Sequence, residues 1–193
     1  MRALPLLVLA LACGGGDPDG EPVTYANEGS ETETNAPSGE ASAEPAASLA
    51  PEMAAVLDAH NQARAEHCAP PLEWSAELEA AASAWADELV ARGCTLEHSQ
   101  GSLGENLYAA TAGATTPADA VQAWVRERDA YDFDRGGFSM QTGHFTQVAW
   151  KGTSRLGCAT LECNGLDLWV CNYDPAGNVQ GGYQANVSAQ GCD

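Results

Sequence analysis

Basic residues are scarce in this chain. Lysine occurs once in 193 residues, at Lys151, and the 8 Lys and Arg stand against 27 Asp and Glu, a formal charge of −19. A surface of that sign repels the nucleic-acid backbone and anionic membranes, which excludes nucleic-acid partners; it suits divalent cations without specifying one. Several catalytic signatures are also missing. No Gly-x-Ser-x-Gly elbow occurs, and Ser99 beside His98 is only a sequence neighbour, so a serine hydrolase of that build is excluded. No His-Glu-x-x-His occurs, which excludes a metalloprotease of that kind. No phosphate-binding or dinucleotide fingerprint follows a strand, and Gly14-Gly15-Gly16 lies in a polar stretch. Cys-x-x-Cys is absent, and with it zinc-knuckle spacing. Histidine is limited to His60, His67, His98 and His144.

The first twelve residues carry one positive charge, Arg2, and then an apolar run too short to span a bilayer. Cys13 ends the run and three glycines follow, the pattern of a lipoprotein signal with lipid on the Cys13 thiol. Residues 1–13 are therefore read as a signal with a lipidated cysteine, and the alternative is plain secretion. Residues 14–50 are rich in Gly, Pro, Ser, Glu and Ala, with no basic residue and one aromatic, Tyr25. Such a segment buries too little apolar surface to offset its ordering entropy, so it is expected to be a disordered acidic tether. The folded domain is assigned to 51–193.

From Pro51, the residues Met53, Val56, Leu57, His60, Asn61 and Arg64 follow helical spacing. A second helix starts after Ser75 as N-cap, runs along Leu78, Ala81, Ala82, Trp85 and Leu89, and ends at Gly93. A third starts at Thr116-Pro117 and turns Ala120, Val121, Trp124 and Val125 inward. Beyond His144 the composition becomes strand-like in 145–150, 155–163, 166–173 and 182–187, with Asn164-Gly165 as a hairpin turn. Helices first and strands later imply an α+β fold, with helices packed on an antiparallel sheet.

Six cysteines besides Cys13 imply disulfides in an exported domain. With a two-residue turn at Asn164-Gly165, Cys158 lies opposite Cys171 on the same sheet face. Cys163 then points to the other face and needs a partner elsewhere; Cys94 is the expected one, with Cys68 and Cys192 as the third pair, although the strand count itself fixes only Cys158 with Cys171.

The run from Gly143 through His144-Phe145-Thr146-Gln147 to Thr153 resembles the first signature of the CAP superfamily, the cysteine-rich secretory, antigen 5 and pathogenesis-related 1 proteins. Residues 168–179, with Cys171-Asn172-Tyr173, resemble the second. His60-Asn61-Gln62-Ala63-Arg64 is similar to the family's opening helix, and His98-Ser99 with Gly104-Glu105-Asn106 to its middle. The resemblance covers about residues 51–187 and implies a three-layer α-β-α sandwich. It implies a cleft built from His98, Glu105, Glu127 and His144, with zinc or another divalent cation held through His98 and His144. It also makes a sterol, fatty acid or other small ligand conceivable. The stretch 133–143 lacks the cysteines many relatives carry, and no cysteine-rich C-terminal module is present, so the family's disulfide set and channel-blocking activity do not transfer.

Two imidazoles with carboxylates held behind them suit a weak, water-rich cation site, the carboxylates orienting the rings through their other nitrogens. Glu127, three residues after Trp124, lies on an apolar helix face and needs a partner there. Three functions are compatible with this set. One is a surface-tethered binding module for a cation or a small polar or lipid ligand. The second is a hydrolase in which Glu105 or Glu127 is the base. The third is a structural or adhesive domain whose polar network only fixes packing. His60 is read as a core histidine bonded to backbone and to Asn61, and His67 as a helix-end contact. The five tryptophans are read as mostly core, and Gln147 as facing away from His144.

Overall fold

The computed structural model describes residues 49–192. The expected signal, Cys13 and residues 14–48 of the expected tether lie outside the described residues. Helix α1 (Pro51–Glu66) opens on Pro51 in its first turn, where a missing N–H costs nothing. It buries Met53, Val56, Ala59, His60, Ala63 and Arg64 on one side. Strand β1 (Glu73–Trp74) leads into α2 (Ala76–Ala91), whose Leu78 N–H is capped by Ser75 Oγ at 3.3 Å. Strand β2 (Gly104–Thr111) precedes α3 (Pro117–Arg126), where the Asp119 carboxylate reaches back to the Thr116 N–H at 2.7 Å.

Helix α4 (Gly143–Val148) is followed by the hairpin of β3 (Arg155–Cys163) and β4 (Leu166–Asp174), and then by one turn of helix, α5 (Tyr183–Asn186). The sheet order is β1-β3-β4-β2. β3, β4 and β2 are antiparallel as expected, and the two-residue β1 adds a parallel edge.

Alternation along the strands separates two cores and makes the molecule a sandwich. Leu107, Leu168, Val170 and Cys163 share the face that α2 covers with Ala82, Ala86 and Leu89. Leu156, Cys158, Trp169, Cys171 and Tyr173 share the other, packed by Met53 and Val56 of α1, by Trp124 and Val125 of α3, and by Val148 of α4. All three expected disulfides are present: Cys158–Cys171, Cys94–Cys163 and Cys68–Cys192. The Asn164-Gly165 turn puts Cys158 opposite Cys171, as the hairpin count requires.

Two expected strands are helices. Residues 145–150 begin inside α4, and 182–187 hold α5. Phe145 to Val148 are buried on every side, so no polar face marks the helix in the sequence. Trp124, Trp150 and Trp169 are core, whereas Trp74 and Trp85 are half-buried.

α2 approaches β3 so closely that a Cβ on Gly157 would lie 2.1 Å from the Glu79 nitrogen and 2.5 Å from the Leu78 carbonyl carbon. Both are backbone atoms of one helix, so the layer itself must move. Gly157→Ala is expected to destabilise the fold by about 2–3 kcal/mol in urea denaturation, the upper part of the overpacking range. A loss under roughly 0.5 kcal/mol, the level of an inert surface change, would show that α2 is not seated there.

Candidate functional site

Glu105 is the second residue of β2, and alternation turns it to the α2 face. Its Oε1 accepts two hydrogen bonds, from His98 Nδ1–H at 2.6 Å and from the Ser99 backbone N–H at 3.0 Å. The carboxylate therefore fixes both the ring and the chain beside it. The Glu105 side chain is 5% exposed and that of His98 24%, so the acid is sealed and the imidazole reaches solvent.

The second pair is built from α3 and α4. Glu127 does not lie within α3 but follows its last residue, Arg126, in a short 3-10 turn. Its Oε2 accepts the backbone N–H groups of His144 at 3.0 Å and Phe145 at 3.2 Å, the first turn of α4. Thr142, at the N-cap position, supplies no side-chain bond, so a carboxylate seventeen residues earlier caps this helix. Its Oε1 accepts His144 Nδ1–H at 2.7 Å. The His144 ring also lies nearly parallel to Trp124, at 23° and 6.2 Å between centroids.

Both histidines thus present the same geometry, Nδ1 toward a carboxylate. In the neutral ring, a proton on Nδ1 facing the carboxylate leaves Nε2 with its lone pair. Neither Nε2 has a hydrogen-bond partner among the described residues, and neither is among the fully buried unpaired atoms.

The structure brings together His98 with Glu105 and His144 with Glu127. Asn106, which the sequence reading did not single out, stands between the pairs. It is on the opposite face of β2 from Glu105, and its Nδ2 donates to the His144 carbonyl at 3.2 Å and to the Tyr173 hydroxyl at 3.1 Å. Asn106 thus ties the first turn of α4 to β2, the edge strand that carries Glu105. Gly104 lets α4 cross here, since a Cβ there would lie 2.2 Å from Gln147 Oε1. Among the described residues no three His, Cys, Asp or Glu side chains come close enough to hold a metal. The hollow lined by Arg135, Gly137, Gly181, Tyr183 and Gln184 contains none of the four residues.

The other two histidines are structural. His60 Nδ1–H donates to the Val56 carbonyl at 2.8 Å, and Nε2 accepts the Tyr173 hydroxyl at 2.8 Å. Asn61 does not join it but bonds Leu72 at both its N–H and its carbonyl. His67 is at the end of α1, as expected, as its C-cap residue, and it is buried. Its Nδ1–H donates to Ser188 O at 2.7 Å, and its ring stacks on Phe133. Gln147 is occupied by Gly177 N–H and Thr153 Oγ1.

Comparison with known proteins agrees with this architecture. The model of the cysteine-rich secretory protein family matches residues 57–173. Pathogenesis-related protein 1A of Nicotiana tabacum is 44% identical over 128 residues, covering 65% of this chain and 76% of that protein. Secreted protein RBT4 of Candida albicans is 44% identical over 132 residues, 65% of this chain and 35% of that protein. Among solved structures, that of NaASP2 with Zn2+ superposes with a TM-score of 0.56 at 26% identity, covering 76% of this chain and 90% of that one. No helix among the described residues is long and apolar enough to cross a membrane.

Proposed function

The chain belongs to the cysteine-rich secretory protein family, and from that premise we propose an exported binding module in which His98 and His144 hold a divalent cation. Zinc is the first choice, because two imidazole nitrogens suit it. A bound cation would in turn offer a docking point for a polar group of a small ligand or lipid.

The observation that carries this reading is the shared orientation of the two rings. A carboxylate on Nδ1 is the usual companion of a histidine that ligates through Nε2, since it fixes the tautomer and raises ligand basicity. Glu105 and Glu127 supply that companion to His98 and His144. The donor set lacks a third protein ligand among the described residues, so water would complete the coordination. Such an open site suits ligand exchange. Support also comes from NaASP2, whose structure was determined with Zn2+. The secreted relative RBT4, the apolar run before Cys13 and the acidic stretch after it support placement outside the cell, with the domain tethered through lipid on Cys13.

Calorimetric titration with Zn2+ tests the proposal. Wild type is expected to bind one equivalent, and His98→Ala plus His144→Ala to abolish binding. Glu105→Gln, which keeps the shape but weakens the acceptor, is expected to lower affinity about 10- to 100-fold. Unchanged affinity in the double variant would remove the site.

A further inference from the structure

Two buried oxygen atoms beside the His98–Glu105 pair have no partner. Glu105 Oε2 and Asn172 Oδ1 are both sealed from solvent without a hydrogen bond. They belong to facing residues, since Glu105 is the register partner of Asn172 across β2 and β4. The two side chains therefore leave the same face of the sheet.

The type of pairing brings them together. The two-residue turn makes Cys163 and Leu166 a hydrogen-bonded pair, and every second pair back along the hairpin, to Gly157 and Asn172, is of the same kind. Asn172 thus spends its backbone groups on β3, and its pairing with Glu105 is of the non-hydrogen-bonded kind. Trp124 Nε1–H agrees, because it donates at 3.1 Å to the Leu107 carbonyl, which must then point away from β4. In such pairs the Cα atoms approach to about 4.5 Å and the side chains are at their closest.

Two acceptors facing each other in a sealed space is an arrangement proteins avoid, since an unpaired buried carboxylate oxygen keeps its full desolvation cost. The Asn172 amide can correct it without moving anything else. Its Nδ2 has no hydrogen-bond partner among the described residues, and oxygen and nitrogen occupy the same space when the amide turns by 180°. We propose that Asn172 turns Nδ2–H toward Glu105 Oε2 and is a positioning residue for His98. The resulting order is Asn172 Nδ2–H to Glu105 Oε2, then Glu105 Oε1 to His98 Nδ1–H. The bond satisfies Glu105 Oε2, and the same turn takes Asn172 Oδ1 out of its sealed position to that of Nδ2, which is not among the sealed unpaired atoms. It also stops the carboxylate from rotating away from the imidazole. His144 has no such support, since both Glu127 oxygens are already taken by His144 and Phe145. The inference deepens the cation site proposed above. Its test uses metal-free protein, so either reading can fail alone.

The test is nuclear magnetic resonance of the histidine Nδ1–H protons and of the Asn172 side-chain amide. In wild type, one Asn172 amide proton is expected to exchange at least tenfold more slowly than that of a free asparagine. In Asn172→Leu and Asn172→Asp, the His98 Nδ1–H is expected to exchange at least tenfold faster while the His144 signal stays as it was, an internal control for folding. An unchanged His98 signal in both variants would overturn the proposal, and so would equal loss at both histidines. If neither variant folds, the wild-type amide decides, and free exchange of Asn172 would overturn it.

Discussion

Arg64→Met is expected to cost about 3–5 kcal/mol in urea denaturation with the disulfides intact, the range for breaking a buried charged network. The guanidinium is fully buried and faces only backbone carbonyls: Pro70 at 2.7 Å, Val148 and Trp150 at 2.8 Å, and Thr153 at 2.9 Å. No carboxylate pairs with it among the described residues. Four converging carbonyl dipoles replace the counter-ion, and burial still pulls its pKa down to about 10, so it stays charged at neutral pH. The fork clamps α1 to the segment leaving α4, the helix that carries His144. Methionine fills much of the volume but strands four acceptors, each costing about 1–3 kcal/mol if left dry. Arg64→Lys keeps the charge on a single nitrogen that cannot span the four oxygens, so it is expected to fall between the two. A loss below about 1 kcal/mol for Arg64→Met would mean that water satisfies these carbonyls.

Acid is expected to destabilise the protein through His60. This ring is fully buried, and burial is the main cause that lowers its pKa to about 4, with the nearby Arg64 charge adding to it and the Val56 hydrogen bond opposing. The hydrogen bonds agree, since Nε2 accepts from Tyr173 and only the neutral ring can do so. The unfolded chain has the ordinary value near 6.5, so below that pH it binds a proton that the folded chain refuses. A depressed folded pKa contributes stability that is present above 6.5 and lost as pH falls through about 4. The full loss is roughly 3 kcal/mol at 1.36 kcal/mol per unit. His60→Gln removes this titration. Its stability is expected to be lower at pH 7 but to fall less between pH 6.5 and 4 than that of wild type. Parallel pH curves for the two proteins would contradict the assignment.

The parts of the fold written in local pattern could be read from the sequence. The stripe from Met53 to Arg64, the Ser75 and Thr116 caps, and the Asn164-Gly165 turn set α1, α2, α3 and the hairpin. The turn then fixed Cys158 against Cys171, whereas Cys94–Cys163 and Cys68–Cys192 depend on contacts between distant segments. Where distant groups decide the local structure, the sequence was silent. α4 shows no helical periodicity because the molecule buries it all round, polar Thr146 and Gln147 included, and its cap comes from Glu127. The hydrogen bond of His67 was not legible because Ser188, 121 residues later, is brought to it by the chain end that Cys192 ties to Cys68. The site divides the same way. Motif order singled out four residues, and the structure joins them in two pairs, His98 with Glu105 and His144 with Glu127. Asn106 and Asn172, which belong to the same motifs, emerge only from strand alternation and register.

The central claim is that both imidazoles give Nε2 to one cation. A crystal structure of zinc-supplemented protein, with anomalous scattering at the zinc edge, tests it directly. The expected result is one peak about 2.0–2.1 Å from Nε2 of both His98 and His144, with Glu105 and Glu127 still on the Nδ1 atoms. A peak bound only by surface carboxylates, or none at these rings, would contradict the account.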